Sequence, residues 1–452
     1  MVLPERWMPT NSFLAFSLLA SSLALLFTVS TREVIDWINW RPNTNVSAPK
    51  SQQSYTDAEL NFQRQLHKDR LEKTEKSGHE QDGNLSNDTM PNYADYIRAK
   101  PVCPVGLPLG NINLLVVTDI HGWIAGQHAR HEPYLNVDMG DLVSFYQQLQ
   151  WQQNPPWYEK LVTRPTGCPP QGDWFLLFNG DMMDGTGIST IPPNHMAPLL
   201  QQVPFSALNT GNHELYHNEV VDYMMNQGFI HHWDGNYLAS NVDYIPQQQN
   251  KNAILGPFGS SVTSATIPFG NRYTFLRGPV LNSTILTFGF LYNFVNNCNH
   301  TMVQTVEETL QEVWFVNVLT TSKYDAIIVM GHMDAVDPLV YKILEAIRAL
   351  VGANMPIQFI TGHSHRRHFE QLDTLSTSME AGRFMDTIGF VSFPLKSTTD
   401  YIRKLPANKD SLVKRASSLF QHEFLDANYK VLGTDVLGMP DQDFSTLKGR
   451  AL

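Results

Sequence analysis

A chain of 452 residues has room for one large domain or two ordinary ones, and 42% hydrophobic against 17% charged residues is a globular balance. A formal net charge of -11 without a basic run excludes general attraction to a nucleic-acid polymer, so a polyanionic substrate would need local positive charge such as bound metal ions. Cys103, Cys168 and Cys298 are too few for a disulfide framework and lack metal-site spacing; one bridge, Cys103 to Cys168 for example, is open in an oxidising compartment.

In chain order, Phe13 to Val29 comes first, an apolar run without a charge. It is longer than the usual core of a signal peptide and at the short end of a membrane span, and it reads as an uncleaved anchor. A removed signal ending near Thr28-Val29-Ser30 is the alternative. Arg6 and the amino terminus favour a cytoplasmic start, with the rest of the chain across the membrane. Asn45, Asn84, Asn87, Asn282 and Asn299 each open an N-x-S/T acceptor for glycosylation, and the first three sit in the polar stretch after the apolar run. The division expected is an anchor or signal over 1–30, a polar stalk over 31–101, a globular catalytic domain over 102–395 and a short C-terminal extension over 396–452. The placement expected is the secretory pathway: a single-pass protein of the vacuole, endomembranes or cell surface, or a secreted one.

Beyond Val102, apolar runs predict strands at Ile112–Thr118, Trp174–Phe178, Phe205–Asn209, Ile285–Phe290, Ala326–Met330 and Ile357–Thr361. Helical spacing falls at Asp141–Gln150, Asn218–Gln227, Val306–Thr320 and Pro338–Ala353. Such alternation predicts a layered α/β fold with largely buried strands.

Five of the strands run into small residues and then metal-ligating side chains. They are Thr118-Asp119-Ile120-His121, Asn179-Gly180-Asp181, Gly211-Asn212-His213-Glu214, Gly331-His332 and Gly362-His363-Ser364-His365. In an extended segment, residues two apart point the same way, so Asp119 and His121 could face one ion, as could His363 and His365. Glycine permits the tight turns that let several loops converge, and strand carboxyl ends are where open α/β sheets place their sites. Imidazole with carboxylate suits Zn, Mn, Fe, Co or Ni. Each motif alone is common, and a histidine at a strand end is often a hydrogen-bonded surface residue. The complete ordered set is what carries the functional reading.

The set resembles the calcineurin-like metallophosphoesterase superfamily, and within it the 5′-nucleotidase-like branch with its uncharacterised eukaryotic membrane or vacuolar-type members. Gly140-Asp141-Leu142-Val143-Ser144-Phe145, Tyr237-Leu238-Ala239-Ser240-Asn241-Val242 and Glu380-Ala381-Gly382-Arg383-Phe384 point the same way. The resemblance implies a four-layer α/β/β/α sandwich with a dinuclear site. It implies one divalent ion on Asp119, His121 and His365, another on Asn212, His332 and His363, and Asp181 between them. His213 would stabilise developing charge or protonate the leaving oxygen. The reaction implied is hydrolysis of a small phosphorylated substrate, a nucleotide among the candidates, by a hydroxide activated between two ions about 3.5–4 Å apart.

Two departures stand out. The bacterial 5′-nucleotidases orient their catalytic histidine with an aspartate three residues later, where this chain has Tyr216. They also carry a C-terminal nucleoside-binding domain, and about 60 residues follow Phe393 here, although Phe424-Leu425-Asp426-Ala427-Asn428 looks like its beginning. Arg367, and Arg366 beside it, could meet a phosphate; Arg383 reads as structural. Trp123 reads equally as pocket lining or core. The reading is a phosphomonoesterase of 5′-nucleotidase type. The rivals are a cyclic-nucleotide or other phosphodiesterase and a catalytically idle binding protein on a membrane anchor.

Overall fold

The computed structural model describes residues 106–127, 132–153, 172–247, 266–398, 419–439 and 444–452. The apolar run Phe13–Val29, the stalk, Asn45, Asn84, Asn87, Cys103 and Cys168 lie outside the described residues. Among those described, no helix is long and apolar enough to cross a membrane.

The strands are β1 (Ile112–Val117), β2 (Asp173–Asn179), β3 (Ala207–Asn209), β4 (Tyr237–Leu238), β5 (Val242–Tyr244), β6 (Ile267–Pro268), β7 (Tyr273–Arg277) and β8 (Thr284–Leu291). They continue as β9 (Thr301–Val303), β10 (Ala326–His332), β11 (Ile357–Thr361), β12 (Arg367–Asp373), β13 (Ser376–Ala381), β14 (Thr387–Phe393) and β15 (Gln421–Asp426). The longer helices are α1 (Met139–Gln153), α2 (Asn218–Asn226), α3 (Val313–Thr321) and α4 (Pro338–Val351). One six-stranded sheet runs β15-β14-β1-β2-β3-β4, the other β12-β13-β11-β10-β8-β7, and β6-β5-β9 form a small third. The middle of each large sheet is parallel, β1 to β4 in the first and β8, β10, β11 and β13 in the second. The flanking pairs, β1 with β14, β14 with β15, β12 with β13 and β7 with β8, are antiparallel.

Alternation along β1 shows the layering. Ile112, Leu114 and Val116 join Phe175, Ile285, Ile328, Met330 and Ile360 in a core between the two sheets. Leu115 and Val117 face the other way, onto Leu142, Phe145 and Leu149 of α1 and Val221 and Met224 of α2. On the far side of the second sheet, Leu286, Phe288, Val329 and Phe359 pack on Phe315 of α3 and Ile343 and Ile347 of α4. Both sheets are therefore covered on both faces, which is why the central strands read as continuous apolar runs. The chain is the four-layer α/β/β/α sandwich expected.

Two details differ from expectation. The Val306–Thr320 helix is broken: Thr305 and Glu308 form a capping box on the short helix Val306–Thr309, and α3 starts afresh after Glu312, held in an extended conformation. Gln304 Nε2 donates to Glu312 Oε1 at 3.1 Å across that break. The stretch set apart as an extension also belongs in part to the sandwich. Phe424 to Asp426 lie in the edge strand β15, while Leu432, Val436 and Phe444 enter the core around α1.

Candidate metal centre

The parallel strands of both sheets end at the same edge, and polar bonds tie those ends together. Asn209 Nδ2 donates to Asn179 Oδ1 at 3.0 Å, to Phe290 O at 3.1 Å and to Met330 O at 3.1 Å, and Asn179 Nδ2 donates to Gly331 O at 3.2 Å. The turns after β1 and β2 run side by side, with Asp119 N donating to Gly180 O and His121 N to Asp181 O, both at 3.0 Å. A Cβ on Gly180, at φ 87°, would sit 2.6 Å from Gly211 N, and one on Gly362 would sit 2.7 Å from Asp119 Oδ2. Only glycine lets these loops approach so closely.

The expected extended geometry of the ligand motifs is corrected here. Asp119, His121, Asp181, His363 and His365 have φ of 51°, 47°, 55°, 74° and 61°, all left-handed. Each such residue costs about 1–3 kcal/mol and persists where the surroundings over-determine it. The turn, not strand alternation, aims the side chains. It sends His363 and His365 to different partners, so that pair does not share one cluster.

Three overlapping groups result among the described residues. Asp119, His121 and His365 offer donor atoms within 4.8 Å of one another, as do Asp181, His332 and His363, and His121, Asp181 and His213. His121 Nε2 lies 3.0 Å from His365 Nε2 and 3.7 Å from Asp181 Oδ2, His365 Nε2 lies 3.4 Å from Asp119 Oδ1, and His332 Nε2 lies 3.1 Å from Asp181 Oδ2.

The donor set fits divalent cations for a specific reason. His121 Nδ1 is 2.9 Å from Asp184 O and His332 Nδ1 is 2.8 Å from Asn179 O. A carbonyl only accepts, so each Nδ1 carries the hydrogen and each Nε2 presents a lone pair inward. Asn212 Oδ1 is buried without a hydrogen-bond partner among the described residues, and the buried His332 Nε2 faces the Asp181 and Asp119 carboxylates. Burial lowers the affinity of His332 for a proton, yet Asp181 and Asp119 more than offset it and raise its pKa to about 10, so a divalent ion would take this Nε2 in competition with a proton. Burial likewise works against the Asp181 charge, but His332, His213 and His121 hold its carboxyl well below the usual range. The cluster thus favours positive charge and leaves buried lone pairs to receive it.

Supporting groups were less visible in the sequence. Glu214 is buried and accepts from Gly211 N at 2.9 Å, Asp181 N at 2.8 Å and Met182 N at 2.8 Å, fastening the turn after β2 to the one after β3. Glu380 accepts from Ser364 Oγ at 2.7 Å and Arg366 N at 2.9 Å, bracing the His363–His365 turn, and burial pushes it up to about 7. Asn212 Nδ2 donates to Tyr216 Oη at 2.9 Å. His213 is oriented by Asp184, whose Oδ2 lies 3.3 Å from His213 Nδ1, in place of a group at position 216. Burial lowers the His213 pKa, but Asp184 and Asp181 raise it overall. A polar residue three positions beyond Asp181 was the available signal for Asp184.

The arginines divide differently from the sequence reading. Arg367 spends its guanidinium on Thr387 Oγ1 at 2.6 Å, Asp426 Oδ1 at 2.6 Å and Asp386 O at 3.1 Å, tying β12 to β14 and β15. Arg366 pairs with Asp334. Arg383, read as structural, instead lies beside the cluster, with Nη1 3.5 Å from His365 Nδ1. Trp123 is buried, donates to Thr186 Oγ1 at 2.9 Å and stacks on Phe384, whose ring sits 5.4 Å from that of His121.

Comparison with known proteins agrees with this geometry. A family model for calcineurin-like phosphoesterases matches residues 112–367. An uncharacterized protein of Saccharomyces cerevisiae is 32% identical over 304 residues, covering 65% of this chain and 45% of its own length. A protein of Arthroderma benhamiae named as secreted is 29% identical over 300 residues, covering 65% of this chain and 40% of its own length. The matched stretch thus spans less than half of these relatives. A 5′-nucleotidase from Candida albicans superposes with a TM-score of 0.61 at 26% identity, covering 77% of this chain and 58% of its own.

Proposed function

This chain belongs to the calcineurin-like phosphoesterase family, a family of hydrolases, and we propose that it hydrolyses small phosphomonoesters in the manner of a 5′-nucleotidase. The observation that carries the reading is the pair of histidines, His121 and His332, whose Nδ1 atoms are locked onto backbone carbonyls so that both Nε2 lone pairs face the Asp119 and Asp181 carboxylates. Asp119, His121 and His365 would hold one divalent ion, and Asn212, His332 and His363 a second, with Asp181 shared. Such ions supply positive charge against a phosphoryl group and acidify a water near it.

The remaining work falls to the protein. His213, half-buried, with Asp184 on Nδ1 and Nε2 4.0 Å from Asp181 Oδ2, is placed to hold a proton at Nε2 for the departing oxygen. The likeness to the Candida albicans 5′-nucleotidase supports a nucleotide among the substrates. The catalytic residues are assigned to the extracytoplasmic side: Asn282 and Asn299, the acceptors among the described residues, are both exposed, and the Arthroderma benhamiae relative is named as secreted. Phe13–Val29, as signal or anchor, would carry them there.

The test is hydrolysis of p-nitrophenyl phosphate and bis-p-nitrophenyl phosphate with Mn²⁺ or Zn²⁺, beside Asp181→Asn and His213→Ala. Metal-dependent activity that favours the monoester, vanishes in Asp181→Asn and falls about 10²–10⁴-fold in His213→Ala is expected. Preference for the diester would make the protein a phosphodiesterase, and inactivity of the folded, metal-loaded protein would favour a binding role.

A further inference from the structure

Of the three arginines around the last ligand turn, Arg366 and Arg367 are paired with Asp334 and Asp426. Arg383 is not. Its guanidinium carries five N–H donors. Among the described residues the polar side-chain atom they approach is His365 Nδ1 at 3.5 Å, the far limit of a hydrogen bond, and no carboxylate forms an ion pair with them. The group is exposed on the solvent side of His365, whose other nitrogen turns inward to Asp119.

The loop that presents it is held firmly and at a cost. Gly382, Phe384 and Met385 all have positive φ, of 75°, 53° and 57°. Arg383 N donates to Asp386 Oδ1 at 3.0 Å, and Phe384 N donates to Asp119 O at 2.9 Å, which fixes the loop directly on the β1 turn. The Phe384 ring then lies 4.8 Å beneath the Arg383 guanidinium carbon and 5.6 Å from the His365 ring. A cation–π seat of this kind limits where the guanidinium swings while leaving its donor edge unspent. Strained backbone that carries an unpaired cation to the lip of a metal-ligand cluster is poorly explained by solvation alone.

We propose that Arg383 receives the phosphoryl oxygens of the substrate and favours the dianionic monoester over the monoanionic diester. This rests on the phosphomonoesterase reading and adds the group that selects within it. The guanidinium fork matches two phosphoryl oxygens at once, and the monoester, doubly charged and with one more unesterified oxygen than the diester, attracts it more strongly.

The experiment measures binding of inorganic phosphate to the metal-loaded full chain by calorimetry, with KM for p-nitrophenyl phosphate and bis-p-nitrophenyl phosphate. Arg383→Ala and Arg383→Lys are compared with the unmutated protein, and metal content is determined for each. Arg383→Ala is expected to weaken phosphate binding about tenfold or more, the loss of a charge-assisted hydrogen bond. It should raise KM for the monoester more than for the diester at unchanged metal content, with Arg383→Lys recovering part of the loss. Equal phosphate affinity in the unmutated and Arg383→Ala proteins would overturn the role of Arg383. An unmutated protein that binds phosphate but hydrolyses neither ester would instead overturn the phosphomonoesterase reading, while the two isotherms would still decide Arg383.

Discussion

Asn212 has no charge to attract a cation, so its value as a ligand depends on which end of its amide faces inward. Tyr216 bears on that choice: its hydroxyl takes the Nδ2 hydrogen at 2.9 Å, and the ring, 36% exposed, packs 4.8 Å from the His213 ring and 5.5 Å from that of Phe294. Tyr216→Phe keeps the ring and removes the oxygen. It should leave the fold intact and weaken metal retention roughly tenfold, the lower end of what losing such an outer support costs. Chelator titration followed by metal analysis checks this, and retention equal to that of the unmutated protein would count against the role. The residues that converge at this edge were legible because each motif is local: Asp119, Asp181, His332 and His363 announce themselves by glycine, position and chemistry. Their supports were not. Asp184 reaches His213 across 29 positions and Glu380 reaches Ser364 across 16, and single-sequence spacing carries no record of such meetings.

At the scale of elements, the parallel strands could be read because burial on both faces makes them apolar throughout, as in Ile112-Asn113-Leu114-Leu115-Val116-Val117. The strands β12 to β15 were missed. β13, Ser376-Thr377-Ser378-Met379-Glu380-Ala381, is buried throughout yet mostly polar, and β12 is for the most part half-buried. Satisfied hydrogen bonds hide such residues from an apolar scan: Thr377 Oγ1 donates to Gln358 Oε1 at 2.6 Å, and Glu380 serves the ligand turn. Where two strand ends must be joined, the chain uses one buried carboxylate. Glu214→Ala removes the acceptor shared by Gly211 N, Asp181 N and Met182 N and leaves those buried donors stranded. A destabilisation of about 3–5 kcal/mol is expected. Denaturant unfolding with metal withheld measures it, and a change within about 0.5 kcal/mol would show that the turns hold together by other means.

At the largest scale, the sandwich sets two sheets face to face with their parallel strands ending at one edge, so candidate ligands far apart in sequence, from Asp119 to His365, reach a single place. The α/β alternation made the layered class legible, and the resemblance of the motifs implied the two-sheet sandwich. The C-terminal stretch was harder, because the seam it fills is non-local: Gln148 Nε2 donates to Phe444 O at 3.1 Å and Thr446 N donates to Ser144 Oγ at 3.1 Å, joining the chain end to α1. The proposed hydrolysis depends on one property of the assembled edge, its capacity to hold divalent cations. Elemental analysis of the full chain after equilibration with Mn²⁺ or Zn²⁺ and removal of excess measures it directly, beside Asp181→Asn. Two ions per unmutated chain, and at most one per Asp181→Asn chain that folds equally well by circular dichroism, is the result predicted. Folded unmutated protein that retains none, or an Asp181→Asn variant that retains as much, would contradict it.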